Sequence, residues 1–181
     1  MEIIKTAISE VIVFVPPVFT DSRGYFLETY QQRKYAEAGI PKPFVQDNQS
    51  YSTKNVLRGL HFQLHHPQGK LVRVIQGSVF DVAIDIRKNS PTFGKWHGEI
   101  LSAENKKQMY IPENFAHGFC VLSDSAEFVY KCTDFYVPGD EVGLIWNDPQ
   151  VGVKWPIEQP ILSDKDAVLP SWAEVLELLP D

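Results

Sequence analysis

The sequence predicts an all-β chain folded as a double-sheet jelly roll with short peripheral and C-terminal helices. Three observations carry this. Short strand-like segments follow one another from Val56 onward at the spacing of sandwiches and barrels. The clearest, over 79–87, alternates: Phe80, Val82, Ile84 and Ile86 point one way, Asp81, Ala83, Asp85 and Arg87 the other. Helical text is confined to 32–38, closed by Gly39 and then Pro41, and to the end of the chain.

In chain order, residues 8–15 read as a strand ended by Pro16-Pro17. Asp21-Ser22-Arg23-Gly24 reads as a turn, and 25–30 as resumed extended chain. Gln76-Gly77-Ser78 supplies the turn between a strand over 71–75 and the one over 79–87. Residues 100–101, 108–111, 118–122, 127–136 and 142–146 continue the β pattern. Ser171-Trp172-Ala173-Glu174 is a capping box that opens a short helix running to Leu179. In a small barrel of this kind a ligand sits in the mouth.

The 181 residues fit one domain, 1–181, with no repeat, charge block or linker to divide it. Seventeen basic against 23 acidic side chains give a net charge of −6, which argues against binding nucleic acid through its phosphates. A small phosphorylated ligand held by a few local arginines is compatible with that charge. No apolar run approaches the ~20 residues of a membrane span, and Met-Glu-Ile-Ile-Lys lacks the layout of a signal peptide. Cys120 and Cys132 lie in apolar strand-like text, which suggests buried free thiols in a reducing compartment, the cytoplasm. Their pairing stays open.

The densest chemistry runs from Arg58 to Arg73. If 57–65 is extended, His61, Gln63 and His65 share one face and Arg58, Leu60, Phe62 and Leu64 the other. A second cluster is Pro112-Glu113-Asn114-Phe115-Ala116-His117-Gly118-Phe119. In a third, Tyr130 shares an apolar face with Phe128 and Cys132. Its hydroxyl needs a partner, so Tyr130 is either a hydrogen-bonded core residue or a proton donor. His61 and His117 invite a metal reading, but there is no His-x-His pair followed by a carboxylate. The neighbouring Arg58, Lys70 and Arg73 are cations that would repel an ion, so no metal is expected. His65 and His66 read as a solvated loop before Pro67, and His97 likewise. Arg23, Glu28 and Glu141, taken singly, read as surface charges.

Together these clusters resemble the dTDP-4-dehydrorhamnose 3,5-epimerase family, cupin-fold enzymes of dTDP-L-rhamnose synthesis. The matching text is Asp-Ser-Arg-Gly-Tyr-Phe-Leu-Glu (21–28), Phe-Val-Gln-Asp-Asn-Gln-Ser (44–50) and Val-Leu-Arg-Gly-Leu-His-Phe-Gln (56–63). It continues with Gln-Gly-Lys-Leu-Val-Arg-Val (68–74), Ile-Pro-Glu-Asn-Phe-Ala-His-Gly-Phe (111–119), Glu-Phe-Val-Tyr-Lys-Cys-Thr (127–133) and Leu-Ser-Asp-Lys-Asp (162–166). The resemblance covers nearly the whole chain in order. It implies a metal-free, cofactor-free isomerase acting on dTDP-4-dehydro-6-deoxy-D-glucose. The family's base falls on His61, its orienting carboxylate on Asp166 and its proton donor on Tyr130. Ligand contacts fall on Arg23, Glu28, Gln46, Asn48, Arg58, Lys70, His117, Glu141 and Lys165. The family's dimer exchanges N-terminal segments, which would put Arg23 and Glu28 in the partner's pocket. Deprotonation beside a ketone leaves an enolate, whose oxygen needs a cation, and Lys70 is the leading candidate. The alternatives are an epimerase acting at C3 or C5 only, a 3,4-ketoisomerase, and, more distantly, a metal-dependent or a non-catalytic sugar-binding cupin.

Overall fold

The computed structural model describes residues 1–180, and most of the regular structure is strand. Chain order is β1 (Glu2–Lys5), β2 (Ile12–Val15), β3 (Phe19–Asp21), β4 (Gly24–Phe26), α1 (Gln32–Glu37), β5 (Gln46–Thr53), β6 (Leu57–Gln63), β7 (Lys70–Gln76) and β8 (Ser78–Asp85). Then come β9 (Trp96–Ser102), β10 (Gln108–Ile111), β11 (Phe115–Val121), β12 (Ser125–Cys132), β13 (Glu141–Gly143), a 3₁₀ turn (Asp166–Val168) and α2 (Trp172–Leu178). Two antiparallel sheets face each other, ordered β1-β2-β10-β7-β12-β5 and β13-β6-β11-β8-β9, while β3 and β4 form a separate hairpin. This is the cupin-type jelly roll. No helix is long and apolar enough to cross a membrane among the described residues.

Alternation along β8 explains how the layers pack. Val79 and Ala83 enter the core between the sheets with Val72, Val74, Phe119 and Phe128. Val82 and Ile84 pack on the other side against Trp172, Val175 and Leu179 of the C-terminal segment. Both faces are therefore covered, and Asp81 and Asp85 are fully buried on the inner one. Asp85 is satisfied at the strand end by Arg87, Ser90 and Thr92. The outer face of the larger sheet buries Ile12, Phe14, Leu71 and Tyr110 under Tyr35 and Ile40 from the α1 region.

Several expected boundaries shift. The strand read over 8–15 starts at Ile12, because a turn from the Val11 N–H to the Ile8 carbonyl precedes it. The extended stretch read over 25–30 is strand only to Phe26. The strand read over 127–136 ends at Cys132, and that over 142–146 spans Glu141–Gly143. β1, β3 and β5 have no counterpart among the strands that the sequence pattern predicts. β5 is polar on both faces because one faces solvent and the other a cavity, so it carries no apolar alternation. His97 is not in a solvated loop: it lies on β9 opposite Ala83, half-buried, with Nε2 3.7 Å from Glu99. The helix from Gln32 and the Ser171–Glu174 capping box are as read.

Candidate active site

β6 and β11 pair side by side, and their register slips by one residue: His61 lies opposite His117, yet Arg58 lies opposite Phe119. The slip occurs at Gly59, whose φ of +106° suits glycine. A Cβ there would stand 2.6 Å from the His117 carbonyl oxygen and 2.8 Å from the Gly118 Cα. The irregularity resets the alternation expected of a straight strand. Arg58 therefore lines the same cavity as His61, whereas Leu60 and Phe62 stay in the apolar layer behind.

Asp166 reaches His61 from 105 residues away because the C-terminal segment is tied alongside β6. Val56 bridges Ile161 in parallel, the Leu57 N–H donates to the Ile161 carbonyl at 3.0 Å, and the Asp166 N–H donates to the Ser163 hydroxyl at 3.1 Å. The Asp166 carboxylate then accepts from the Gly59 N–H at 3.3 Å and from His61 Nε2 at 2.6 Å. Burial raises the Asp166 carboxyl, but the hydrogen bonds from His61, Gly59 and Ser163 outweigh it and hold the group below the usual carboxylate range. An ionised carboxylate only accepts, so the proton sits on Nε2 and the lone pair on Nδ1. The His61 side chain is 24% exposed and Asp166 5%, so the imidazole fronts the cavity and the acid stands behind it.

The opposite wall is the larger sheet. Tyr130 on β12 tilts against Phe128, 5.9 Å between ring centroids. Its hydroxyl has no hydrogen-bond partner among the described residues, and burial pushes the phenol up to about 12. Lys70, at the start of β7, sets its Nζ 6.0 Å from the Tyr130 ring centre and lines the cavity with no ion pair of its own among the described residues. Burial lowers its ammonium, while Cys132, Glu141 and Asp81 pull the other way.

Around this centre the cavity, about 370 Å³, has the size of a small-molecule site. Gln46 and Asn48 reach it from β5, with Gln46 donating to Asn48 at 3.1 Å. The Arg58 guanidinium is oriented by the Ser52 hydroxyl at 2.9 Å and the Tyr51 carbonyl at 3.3 Å. Glu141 and Lys165 pair with each other at the rim. His117 lines the floor and binds Asp81. Ten of the twelve expected site residues thus line one cavity. Arg23 and Glu28 do not: Arg23 forks onto Asp21 at the tip of the β3–β4 hairpin, and Glu28 pairs with Lys34 at 2.7 Å. The described residues hold no cluster of three or more His, Cys, Asp or Glu suited to a metal.

Sequence reasoning missed Asp81, Tyr136 and Ser163 as parts of the site. Asp81 carried a signal, as a carboxylate in step with Ala83 on one face of a strand. Tyr136 reaches the mouth only because its N–H donates to Gln46 at 2.9 Å and Gln63 grips its neighbours, donating to the Phe135 carbonyl and accepting from Val137. The His65 ring is exposed as expected, although its Nδ1 and backbone N–H are held by Asp140.

A family model described as dTDP-4-dehydrorhamnose 3,5-epimerase matches residues 5–174. The dTDP-4-dehydrorhamnose 3,5-epimerase of Shigella flexneri is 60% identical over 168 residues, 92% of this chain and 93% of that protein. The crystal structure of dTDP-6-deoxy-D-glucose-3,5-epimerase from Legionella pneumophila Philadelphia 1 in complex with dTDP-4-keto-L-rhamnose is similar, with a TM-score of 0.96 and 53% identity over 99% of this chain and 97% of that one. A 3′-monoepimerase from Streptomyces bikiniensis in complex with dTDP-quinovose has a TM-score of 0.90 at 32% identity, covering 97% and 91%.

Proposed function

This chain belongs to the dTDP-4-dehydrorhamnose 3,5-epimerase family, and we propose that its cavity inverts C3 and C5 of dTDP-4-dehydro-6-deoxy-D-glucose to give dTDP-4-dehydro-L-rhamnose. The observation that carries the reading is the pair of opposed walls: His61 on its buried carboxylate, and a protonated Tyr130 without a partner across the cavity. Hydrogens at C3 and C5 are both acidified by the C4 ketone and lie axial on one face of a gluco chair. One base serves both carbons. His61 Nδ1 takes the proton, and Asp166 holds the tautomer and stabilises the imidazolium. The electron pair moves onto the C4 oxygen, where Lys70 stabilises the enolate, a contact worth about 10²–10³ in rate. Tyr130 protonates the opposite face, and between the two inversions the imidazolium gives its proton to solvent while the phenolate regains one from solvent. Delivery from the opposite face separates inversion from a ketoisomerase that shuttles a proton on one face. A phenol held protonated by burial suits that donation.

A 3′-monoepimerase relative shares the fold, and the same base and donor would serve one carbon alone. The higher identity to 3,5-epimerases favours two. Turnover of the 4-keto sugar nucleotide in D₂O, followed by NMR of the ring, decides. Deuterium at C3 and C5 with both centres inverted is expected; deuterium at one carbon overturns the double reaction.

The diphosphate is met by Arg58 and by Arg23 of a second subunit, whose forked guanidiniums suit it. Phe19, Tyr25 and Phe26 of the β3–β4 hairpin are 61%, 58% and 69% exposed, and a lone hairpin is marginal in water. These features support a homodimer in which the hairpin, with Arg23 and Glu28, enters the partner's cavity. Arg23→Ala should then raise KM more than it lowers kcat, because a phosphate contact is largely uniform binding. A fully active monomer on a sizing column would refute the exchange. Residues 1–181 act as one catalytic unit, and the buried free thiols of Cys120 and Cys132 fit the cytoplasm.

A further inference from the structure

His61 has a counterpart that the reaction above leaves without a task. Directly across the β6–β11 ladder, His117 also ties its Nε2 to a buried carboxylate, standing 3.0 Å from both oxygens of Asp81. Asp81 is fully buried and His117 nearly so. The ring stacks over Phe128 at 6.1 Å, so its plane is fixed from the opposite sheet. Its second nitrogen, Nδ1, has no hydrogen bond among the described residues, and the ring lines the cavity floor.

Equal distances from Nε2 to both carboxylate oxygens fit one N–H centred between them and not a carboxyl O–H pointing at a lone pair. The groups facing His117 are Asp81 from β8, Lys70 from β7 and His61 from β6. Burial pushes the His117 imidazole down, Asp81 pulls it up, and Lys70 and His61 add to the downward push, so the net shift is downward, in the direction of the neutral ring. Burial raises the Asp81 carboxyl, and His117, Lys70 and His97 pull it back.

We propose that Asp81 is a positioning residue that locks His117 in the neutral Nε2–H tautomer, so that Nδ1 presents a lone pair to the substrate and accepts the hydroxyl at sugar C2. The acceptor sits beside the base, so it meets ring atoms next to the reacting carbons. Hydroxyls are the donors there, and the C3 hydroxyl swings as its carbon inverts. C2 does not react, so the configuration of its hydroxyl is unchanged throughout. This inference rests on the epimerase reading of the cavity.

Two measurements test it. ¹⁵N NMR of the histidine rings in the wild-type protein, which needs no turnover, should show His117 neutral at pH 7 with its proton on Nε2. An imidazolium, or a proton on Nδ1, overturns the proposal. Kinetics then compare the natural substrate with its 2-deoxy analogue. Wild type should lose about tenfold in kcat/KM on the analogue, the scale of one neutral hydrogen bond. In Asp81→Asn the amide NH₂ donates to Nε2 and moves the ring proton to Nδ1. That variant should lose about tenfold on the natural substrate and show no further loss on the analogue. A wild type indifferent to the C2 hydroxyl, or losses that multiply in the variant, overturns the proposal. Should Asp81→Asn not fold, the wild-type NMR and the wild-type substrate comparison still decide. Failure of the epimerase reading itself would appear separately, as a wild type inert towards the natural substrate.

Discussion

His61→Asn should abolish both solvent exchange and inversion at C3 and C5. The amide retains a donor toward Asp166, so the buried acid is not stripped of every partner; its Gly59 N–H bond also stays. What disappears is the lone pair facing the cavity. No second base replaces it: the lone pair of the other imidazole, His117, is taken by the C2 hydroxyl in the arrangement proposed above, and Glu141 is paired with Lys165. Positioned general bases contribute about 10²–10⁴. Incubation of the variant with the 4-keto sugar nucleotide in D₂O should therefore leave C3–H and C5–H unexchanged over the time in which wild type completes the reaction. A residual rate within tenfold of wild type would show that another group forms the enolate. The expected loss is far larger than for Arg23→Ala, because the base acts on the reacting atoms themselves.

What the sequence made legible follows from which forces leave a periodic trace. β8 was readable because burial on both faces still sorts side chains by parity, and Ser171 with Glu174 was readable because a capping box is a local hydrogen-bond pattern. β5 was silent as a strand. Gln46, Asn48 and Ser50 line the cavity, Ser52 is buried where it accepts from Arg58, and Asp47, Gln49 and Tyr51 are exposed, so neither face is selected for apolarity. The placement of Arg58 was misjudged for a different reason: parity held only until Gly59, where the strand slips. A slip of this kind depends on close approach to the neighbouring strand at Gly118, a long-range fact with no local signature. The same holds for Asp166, brought to His61 by pairing near Ile161. Its assignment came from resemblance and not from spacing. Asp81 marks the limit from the other side: its parity was correct, but a carboxylate facing inward says nothing about a partner until β11 lies beside it.

Tyr130→Phe should separate proton removal from inversion. The substitution keeps the ring, its tilt against Phe128 and its place beside Lys70, and deletes a hydroxyl that has no partner to lose among the described residues. Folding is therefore little changed, a point checked by thermal unfolding. Proton removal survives, because His61, Asp166 and Lys70 are intact and the enolate still forms. The proton that His61 holds exchanges with solvent and returns to the face from which it came. Deuterium should then enter at C3 and C5 with configuration retained, while inverted product falls by about 10²–10⁴, the share of a positioned acid. NMR distinguishes the two fates directly, since the ring couplings report configuration while loss of the C3–H and C5–H signals reports exchange. Inversion at the wild-type rate would place the second proton source elsewhere and return Tyr130 to the core. Loss of exchange together with inversion would mean that the phenol also supports enolate formation, and that the two walls of the cavity do not divide the chemistry between them.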